Sequence, residues 1–272
     1  MAARQVLTIS SQVAAGPVGN SAIVPALLAL GVTPIALPTI VLSNHPGHGK
    51  PEGLAVPAEQ LWAMLERIVE LGFLAEDDII ITGYFAHAEQ IDAVASVITR
   101  FPKTIYLCDP ILGDTPKGLY VPEAVATAIR DRLVPMADIL TPNAFELGWL
   151  TGRDFHDRDT AHLACRMALW SKEVVVKSLP KDDMLMTTLF HGSSRIAFTR
   201  PKRADVPHGT GDLLSGLIAA QLALGLPLAD ALGLALAQAE QVITASAGTA
   251  RLDLAAGLKD IVSVEAFRAE HG

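Results

Sequence analysis

The segment "RADVPHGTGDLLSGLIAAQLALG" (203–225) puts a carboxylate where a phosphate-binding sequence ordinarily carries a cation. Gly209-Thr210-Gly211 reads as a tight turn that opens straight into an apolar helix. Such helix starts collect anions, because unpaired N–H groups and the positive end of the helix dipole point outward. A P-loop would continue with Lys and then Ser or Thr; here Asp212 follows. If the backbone of Gly209 to Gly211 holds a phosphoryl oxygen, Asp212 need not touch it. The carboxylate can instead take the proton of a hydroxyl that attacks the phosphoryl group. Phosphoryl transfer needs positioning, charge neutralisation and often a base for the nucleophile. The plainer alternative is an acidic residue stabilising a helix N-terminus.

Other stretches carry compatible chemistry. In "CDPILGD" (108–114), Asp109 ends a buried apolar run, where an unpaired carboxylate is costly, and Asp114 lies in the loop beyond. Two acids near a crevice suit Mg²⁺, which takes one or two carboxylates plus water and substrate phosphates; a Pro-anchored turn with a capping Asp is the alternative. In "TPNAFE" (141–146), Asn143 and Glu146 are three apart, on one side of an opening helical turn. Asn143 is placed to reach a phosphate and Glu146 a metal-bound water, or the two simply form a capping box. "VVVKSL" (174–179) brings Lys177 and Ser178 to a strand end, as nucleotide-phosphate contacts or as solvated side chains. His45 and His48 sit in a Gly-rich loop as candidate substrate contacts, and the histidines show no metal-ligand spacing. Cys108, beside Asp109, reads as packing.

The elements that would position these groups alternate along the chain. Short β-branched runs at 6–10, 34–42, 78–84, 104–110, 138–143 and 173–179 predict strands, most of them continuous apolar stretches. That is the pattern of a parallel sheet covered on both faces. Amphipathic patterns at 57–72 and 123–134 predict helices, with Gly72 suited to a helix end. The 184–200 region reads as a hairpin around His191-Gly192-Ser193-Ser194, followed by apolar helices at about 212–224 and 227–247. Pro/Gly-rich loops at 14–20, 43–53 and 111–118 follow predicted strands. In open α/β sheets ligands bind beyond the carboxyl ends of strands, so these loops are expected around one crevice. With no internal repeat or linker, residues 1–272 are expected to form one α/β domain with a mostly parallel sheet flanked by helices.

Composition narrows the function classes. A net charge of −8 without a Lys/Arg-rich run argues against sequence-independent nucleic-acid binding. No apolar run reaches the ~18 residues that span a bilayer. The start "MAARQVLTIS" lacks an h-region and cleavage site, which predicts a chain without a signal peptide. Cys108 and Cys165 have no C-x-x-C spacing, so a reducing, cytoplasmic setting is expected.

Taken in order, "SSQVAAGPVGN", "VLSNH", "TGYF", "CDPILGD", "LYVPEAV", "ADILTPNAFELGWLTG" and "HGTGD" resemble the pyridoxal kinases of the ribokinase-like superfamily, over about residues 5–225. The resemblance implies MgATP-dependent phosphorylation of the 5′-hydroxymethyl group of pyridoxal, pyridoxine or pyridoxamine, in a homodimer, and leaves room for a monovalent cation. It makes Asp212 the catalytic base and Gly209, Thr210 and Gly211 the anion hole. Asp109, Asn143, Lys177 and Ser178 match positions near ATP, and Asp114, Thr141 and Glu146 match the metal site. Ser11, Val18, His45 and Tyr84 match the vitamin pocket. The chain departs from the pattern at Pro46, where Thr is usual, at Pro51, where an aromatic residue is frequent, at Leu42 for Phe, and at His208 for an apolar residue. These departures predict a weakened grip on the ring, with His208 compensating by donating to a ring substituent. Two rivals stand beside this reading. A hydroxymethylpyrimidine kinase of the same superfamily typically carries Cys after "GTG", and a non-catalytic B6-binding descendant would have no need of an intact acid and anion turn.

Overall fold

Val6, Ile79, Ile81 and Leu107 pack on one side of a central sheet, and Leu7, Ile9, Ile80, Tyr106 and Cys108 on the other. The alternation is the period of two that a strand imposes. Both faces are buried, which is why these strands read as continuous apolar runs. The computed structural model describes residues 4–153, 161 and 172–271; Cys165 lies outside them.

The sheet is built from β1 (Val6–Ala15), β2 (Pro34–Asn44), β3 (Gly53–Ala55), β4 (Ile79–Thr82) and β5 (Ile105–Cys108), with a separate small hairpin of β6 (Gly113–Asp114) and β7 (Gly118–Leu119). It continues through β8 (Ile139–Leu140), β9 (Glu173–Lys181), β10 (Met184–His191), β11 (Ser194–Pro201) and β12 (Glu270–His271). Its order is β12-β11-β10-β9-β8-β5-β4-β1-β2-β3. The stretch from β2 to β9 is parallel throughout. β10, β11 and β12 add antiparallel at one edge and β3 at the other. From β1 the chain runs outward to β2, then returns past β1 to β4. A strand order that reverses in this way opens a crevice beyond the carboxyl ends of β1 and β4.

Helices α2 (Ala58–Glu70), α3 (Ala88–Ile98), α4 (Glu123–Ala128) and α5 (Ala144–Thr151) cover one face. α1 (Asn20–Ala29), α6 (Thr210–Ala223) and α7 (Leu228–Ala245) cover the other, and α8 (Leu254–Gly257) follows. Helix α6 packs between α1 and α7, and every residue from Leu213 to Ala223 is buried. A helix enclosed on all sides has no reason to be amphipathic.

The predicted strands and helices are present with shifted ends. β1 runs on to Ala15, because a register shift between Ser10 and Gln12 absorbs one residue and lets pairing with β2 resume. The loop expected at 43–53 begins in β2 and ends in β3, with a short 3₁₀ turn at Pro46–His48. The loop expected at 111–118 holds the β6–β7 hairpin. The hairpin at 184–200 forms around its expected turn, with His191 opposite Ser194.

Candidate active site

The carboxyl ends of the parallel strands and the turn before α6 surround a cleft of about 1030 Å³. That is large enough for two small ligands side by side, since pockets for one drug-sized molecule span roughly 300–1,000 Å³.

Ser11 lies at the β1 register shift, and Tyr84 follows β4. Bulges of this kind re-aim side chains and are frequent beside active sites. The irregular backbone is pinned by buried Asn20, which donates to the carbonyls of Ser10 (3.3 Å) and Leu37 (3.0 Å) and accepts from the Thr8 hydroxyl (2.8 Å). Gly19, just before α1, has a φ of +57°, and a Cβ there would meet the Ser11 carbonyl oxygen at 2.3 Å. Only glycine lets this loop fold back over β1.

Gly209 caps α6 with a φ of +98°, and a Cβ on it would stand 2.0 Å from the Pro17 carbonyl oxygen. The turn is therefore pressed, backbone on backbone, against the loop after β1. Asp212 falls in the first turn of α6. Its Oδ1 is buried and has no hydrogen-bond partner among the described residues. Burial first, then the charge of Asp109, pushes its pKa up to about 6, against the pull of the Gly19 backbone N–H and of Lys177. A buried acceptor aimed into a cleft, with a pKa near working pH, has the properties of a general base.

Asp109, beyond β5, is the hub of a buried polar cluster. Its Oδ1 accepts from the Lys177 Nζ at 2.7 Å and its Oδ2 from the Ser215 hydroxyl at 2.7 Å. Because the Ser215 proton is committed to Asp109, the Thr141 hydroxyl donates to Ser215, 3.3 Å away. Burial alone would lower the Lys177 pKa, but the charges of Asp109 and Glu146 outweigh it and raise it. The ammonium stays charged. It also lies 3.5 Å from where a Cβ on Gly211 would be, so the positive charge adjoins the glycine turn.

Asn143 and Glu146 form a capping box at α5. Glu146 Oε2 accepts from the Asn143 N–H (2.7 Å), and Asn143 Oδ1 accepts from the Glu146 N–H (2.9 Å). Glu146 Oε1 also accepts from the Leu112 N–H at 3.2 Å. Both residues line the cleft as well, so the capping and site readings hold together. Burial drives the Glu146 pKa well upward, opposed by the charge of Lys177 and reinforced by that of Asp109. Asp114 accepts from the Thr115 N–H at the cleft edge.

Of the residues matched to catalysis, vitamin, anion, nucleotide or metal, all line this cleft except Thr141, while His48, Pro51 and Cys108 lie outside its lining. Thr141 is fully buried, with its hydroxyl 3.3 Å from that of Ser215. Lys177 is held in an ion pair with Asp109, beyond the simple phosphate contact expected of it. Cys108 is buried packing, its thiol pushed up to about 12 chiefly by burial. Ser215 was not legible as a site residue, although it lies three positions after Asp212 on the same helix. Nor was the part of the cleft where Thr187, Leu214, Leu236, Ala239 and Ile243 make a mostly apolar wall that also carries Arg200. His208 does line the mouth, but it stacks on His45 instead of standing free.

The oxygen donors Asp109, Asp114 and Glu146 suit a hard cation. Among the described residues no three His, Cys, Asp or Glu side chains converge into a ready cage. Such a site fits an ion that keeps most of its waters and arrives on substrate phosphates, as Mg²⁺ does.

Comparison with known proteins completes the description. A family model described as phosphomethylpyrimidine kinase matches residues 26–255. A pyridoxine/pyridoxal/pyridoxamine kinase of Bordetella avium is 37% identical over 233 residues, covering 82% of this chain and 79% of the relative. The crystal structure of a pyridoxal kinase from Entamoeba histolytica is similar with a TM-score of 0.92 and 26% identity, over 99% of this chain and 100% of that one. A pyridoxal kinase from Leishmania donovani, in complex with ADP and pyridoxamine, has a TM-score of 0.90 and 27% identity, over 98% of each chain.

Proposed function

The chain belongs to the phosphomethylpyrimidine kinase family, and on that premise we infer that it is a pyridoxal kinase, moving the γ-phosphoryl group of ATP to the 5′-hydroxymethyl group of pyridoxal. The observation that carries the reading is Asp212, whose buried Oδ1, without a partner among the described residues, sits one residue past the glycine turn. The ring-bearing alcohol is assigned to the end near the strand-order reversal, with Ser11, Val18, His45 and Tyr84. The nucleotide is assigned to the end with the apolar wall, its phosphates running past Asn143, Lys177 and Ser178 toward Gly209, Thr210 and Gly211.

In this arrangement the substrate oxygen forms a bond to the γ-phosphorus as the bond to the β,γ-bridging oxygen breaks. The hydroxyl proton passes to Asp212. Developing charge on the phosphoryl oxygens meets the N–H groups of the glycine turn and the Lys177 ammonium, the electrostatic stabilisation such transfers depend on. Asp109 and Ser215 fix the Lys177 head beside that turn. A Mg²⁺ brought in with the nucleotide would be held from the Asp114 and Glu146 side and would neutralise phosphate charge.

Product mass detection with pyridoxal, pyridoxine, pyridoxamine and hydroxymethylpyrimidine, each with MgATP, tests the assignment. Phosphorylated pyridoxal is expected. Product from hydroxymethylpyrimidine alone would move the chain to the neighbouring activity, and binding without ATP turnover would make it a B6-binding protein. A second expectation concerns the cation. Glu146→Gln keeps a capping acceptor but can no longer ionise as a cation arrives, and lost outer-shell support costs metal affinity roughly 10-fold or more. The Mg²⁺ concentration for half-maximal rate should rise by that factor; an unchanged titration would leave Glu146 as a helix cap only.

The same reading takes residues 1–272 as one kinase domain, supported by a single main sheet that runs from Val6 to His271. It further proposes a homodimer working in the cytoplasm on ATP and a B6 vitamer, with neither nucleic acid nor membrane as partner. No helix among the described residues is long and apolar enough to cross a membrane.

A further inference from the structure

Three histidines meet at the mouth of the cleft, from two loops far apart in sequence. The His45 and His208 rings stack with centroids 4.3 Å apart and planes tilted by 35°. His48 stands edge-on to both, at 6.3 and 6.5 Å. Gly47 lies against the pair, and a Cβ on it would meet His208 Nε2 at 2.8 Å and His45 Nδ1 at 2.9 Å. The loop after β2 and the loop leading into the glycine turn are thus joined through two imidazoles.

One hydrogen bond settles what His45 can offer a ligand. The Gly47 backbone N–H donates to His45 Nδ1 at 3.1 Å, capping the short turn at Pro46–His48. Nδ1 is therefore an acceptor. A neutral imidazole with Nδ1 accepting carries its proton on Nε2, and its remaining polar group is a donor. The surroundings favour the neutral ring. Burial, then the charges that His208, His48 and Lys117 would carry, lower the His45 pKa to about 4. His208 is likewise lowered by burial, Lys117 and His48, and opposed only by Asp114.

We propose that His208 is a positioning residue: stacked on His45, it keeps in place the neutral ring whose Nε2–H tautomer the Gly47 N–H sets, so the site selects substrates that present a hydrogen-bond acceptor, a ring-substituent oxygen or carbonyl, to His45. The proposal rests on reading the cleft as a B6-vitamer site. Protonating His45 would set its Nδ1–H against the Gly47 N–H, break the cap and release the ring. Removing His208 takes away both the stack and part of the burial that prevent this. His45 should then titrate higher than in wild type, toward the ordinary histidine value of about 6.5.

The test is histidine side-chain ¹⁵N NMR on the free protein, paired with pyridoxal kinetics between pH 5.5 and 8, for wild type, His208→Val and His208→Phe. In wild type His45 should remain an Nε2–H tautomer across the range. In His208→Val its titration should move upward, toward the ordinary histidine value. KM for pyridoxal at pH 6 should then rise about three- to tenfold, the value of one neutral hydrogen bond, with kcat changing much less. His208→Phe keeps an aromatic stack and should restore the wild-type tautomer and KM. If His45 keeps its tautomer and its titration in His208→Val and KM shows no new pH dependence, His208 does not position it. The NMR readout needs no substrate, so a failure of the B6 reading would show separately, as absent pyridoxal turnover with the tautomer result intact.

Discussion

Replacing Asp212 with Asn lowers turnover by about 10²–10⁴-fold, the usual contribution of a general base, while the fold and the binding of both ligands stay close to wild type. The substitution is isosteric, and Oδ1 has no protein partner to lose among the described residues. What disappears is a proton acceptor with a pKa raised to about 6. Only the ionised carboxylate accepts a proton, so wild-type kcat/KM should fall as pH drops through about 6 and level off above it. That limb reports the free enzyme, and it should be missing from the residual activity of Asp212→Asn. A variant that keeps near wild-type turnover, or keeps the limb, would remove Asp212 from the chemistry and return it to the role of a helix-terminal acid.

The fold was largely readable because a parallel sheet covered on both faces leaves a strong record: six apolar β-branched runs, each with its turn signals. What stayed hidden was whatever tertiary contact decides. α1 is apolar all round and carries Pro25 in its interior, so no helical periodicity marks it. The residues of β1 past Ser10 look like loop, and they pair with β2 only because the register shift resets the strand. At the site, residue types were legible but partnerships were not. Asp109, Asp114, Asn143, Glu146 and Asp212 reach one cleft because each follows a strand end or opens a helix there. No sequence spacing links Asp109 to Lys177 or Ser215, which are 68 and 106 positions away and are brought together by the sheet order and by the packing of α6 on the sheet. Thr141 matches its motif, yet its hydroxyl turns inward to Ser215, a choice of side-chain direction that a motif does not record.

The buried pair of Lys177 and Asp109 yields the second large effect, and one that separates stability from chemistry. Lys177 is only 9% exposed and Asp109 only 3%. Removing one partner of such a pair leaves an uncompensated buried charge, at about 3–5 kcal/mol. Lys177→Met should therefore lower Tm by roughly 10 °C, given about 2–4 °C per kcal/mol for chains near this size. It also removes the cation beside the glycine turn, and loss of one preorganised charge-stabilising group costs about 10²–10³-fold in kcat. The two losses are distinguished by also removing the stranded charge. A buried ion pair replaced by apolar residues of similar volume is often neutral for stability, so Lys177→Met combined with Asp109→Leu should recover most of the lost Tm. The missing ammonium is not restored by that exchange, and turnover should stay as low as in the single variant or fall further. Recovery of both stability and rate in the double variant would mean that Lys177 serves only to neutralise Asp109. A single variant with unchanged Tm and turnover would mean that the pair does neither job.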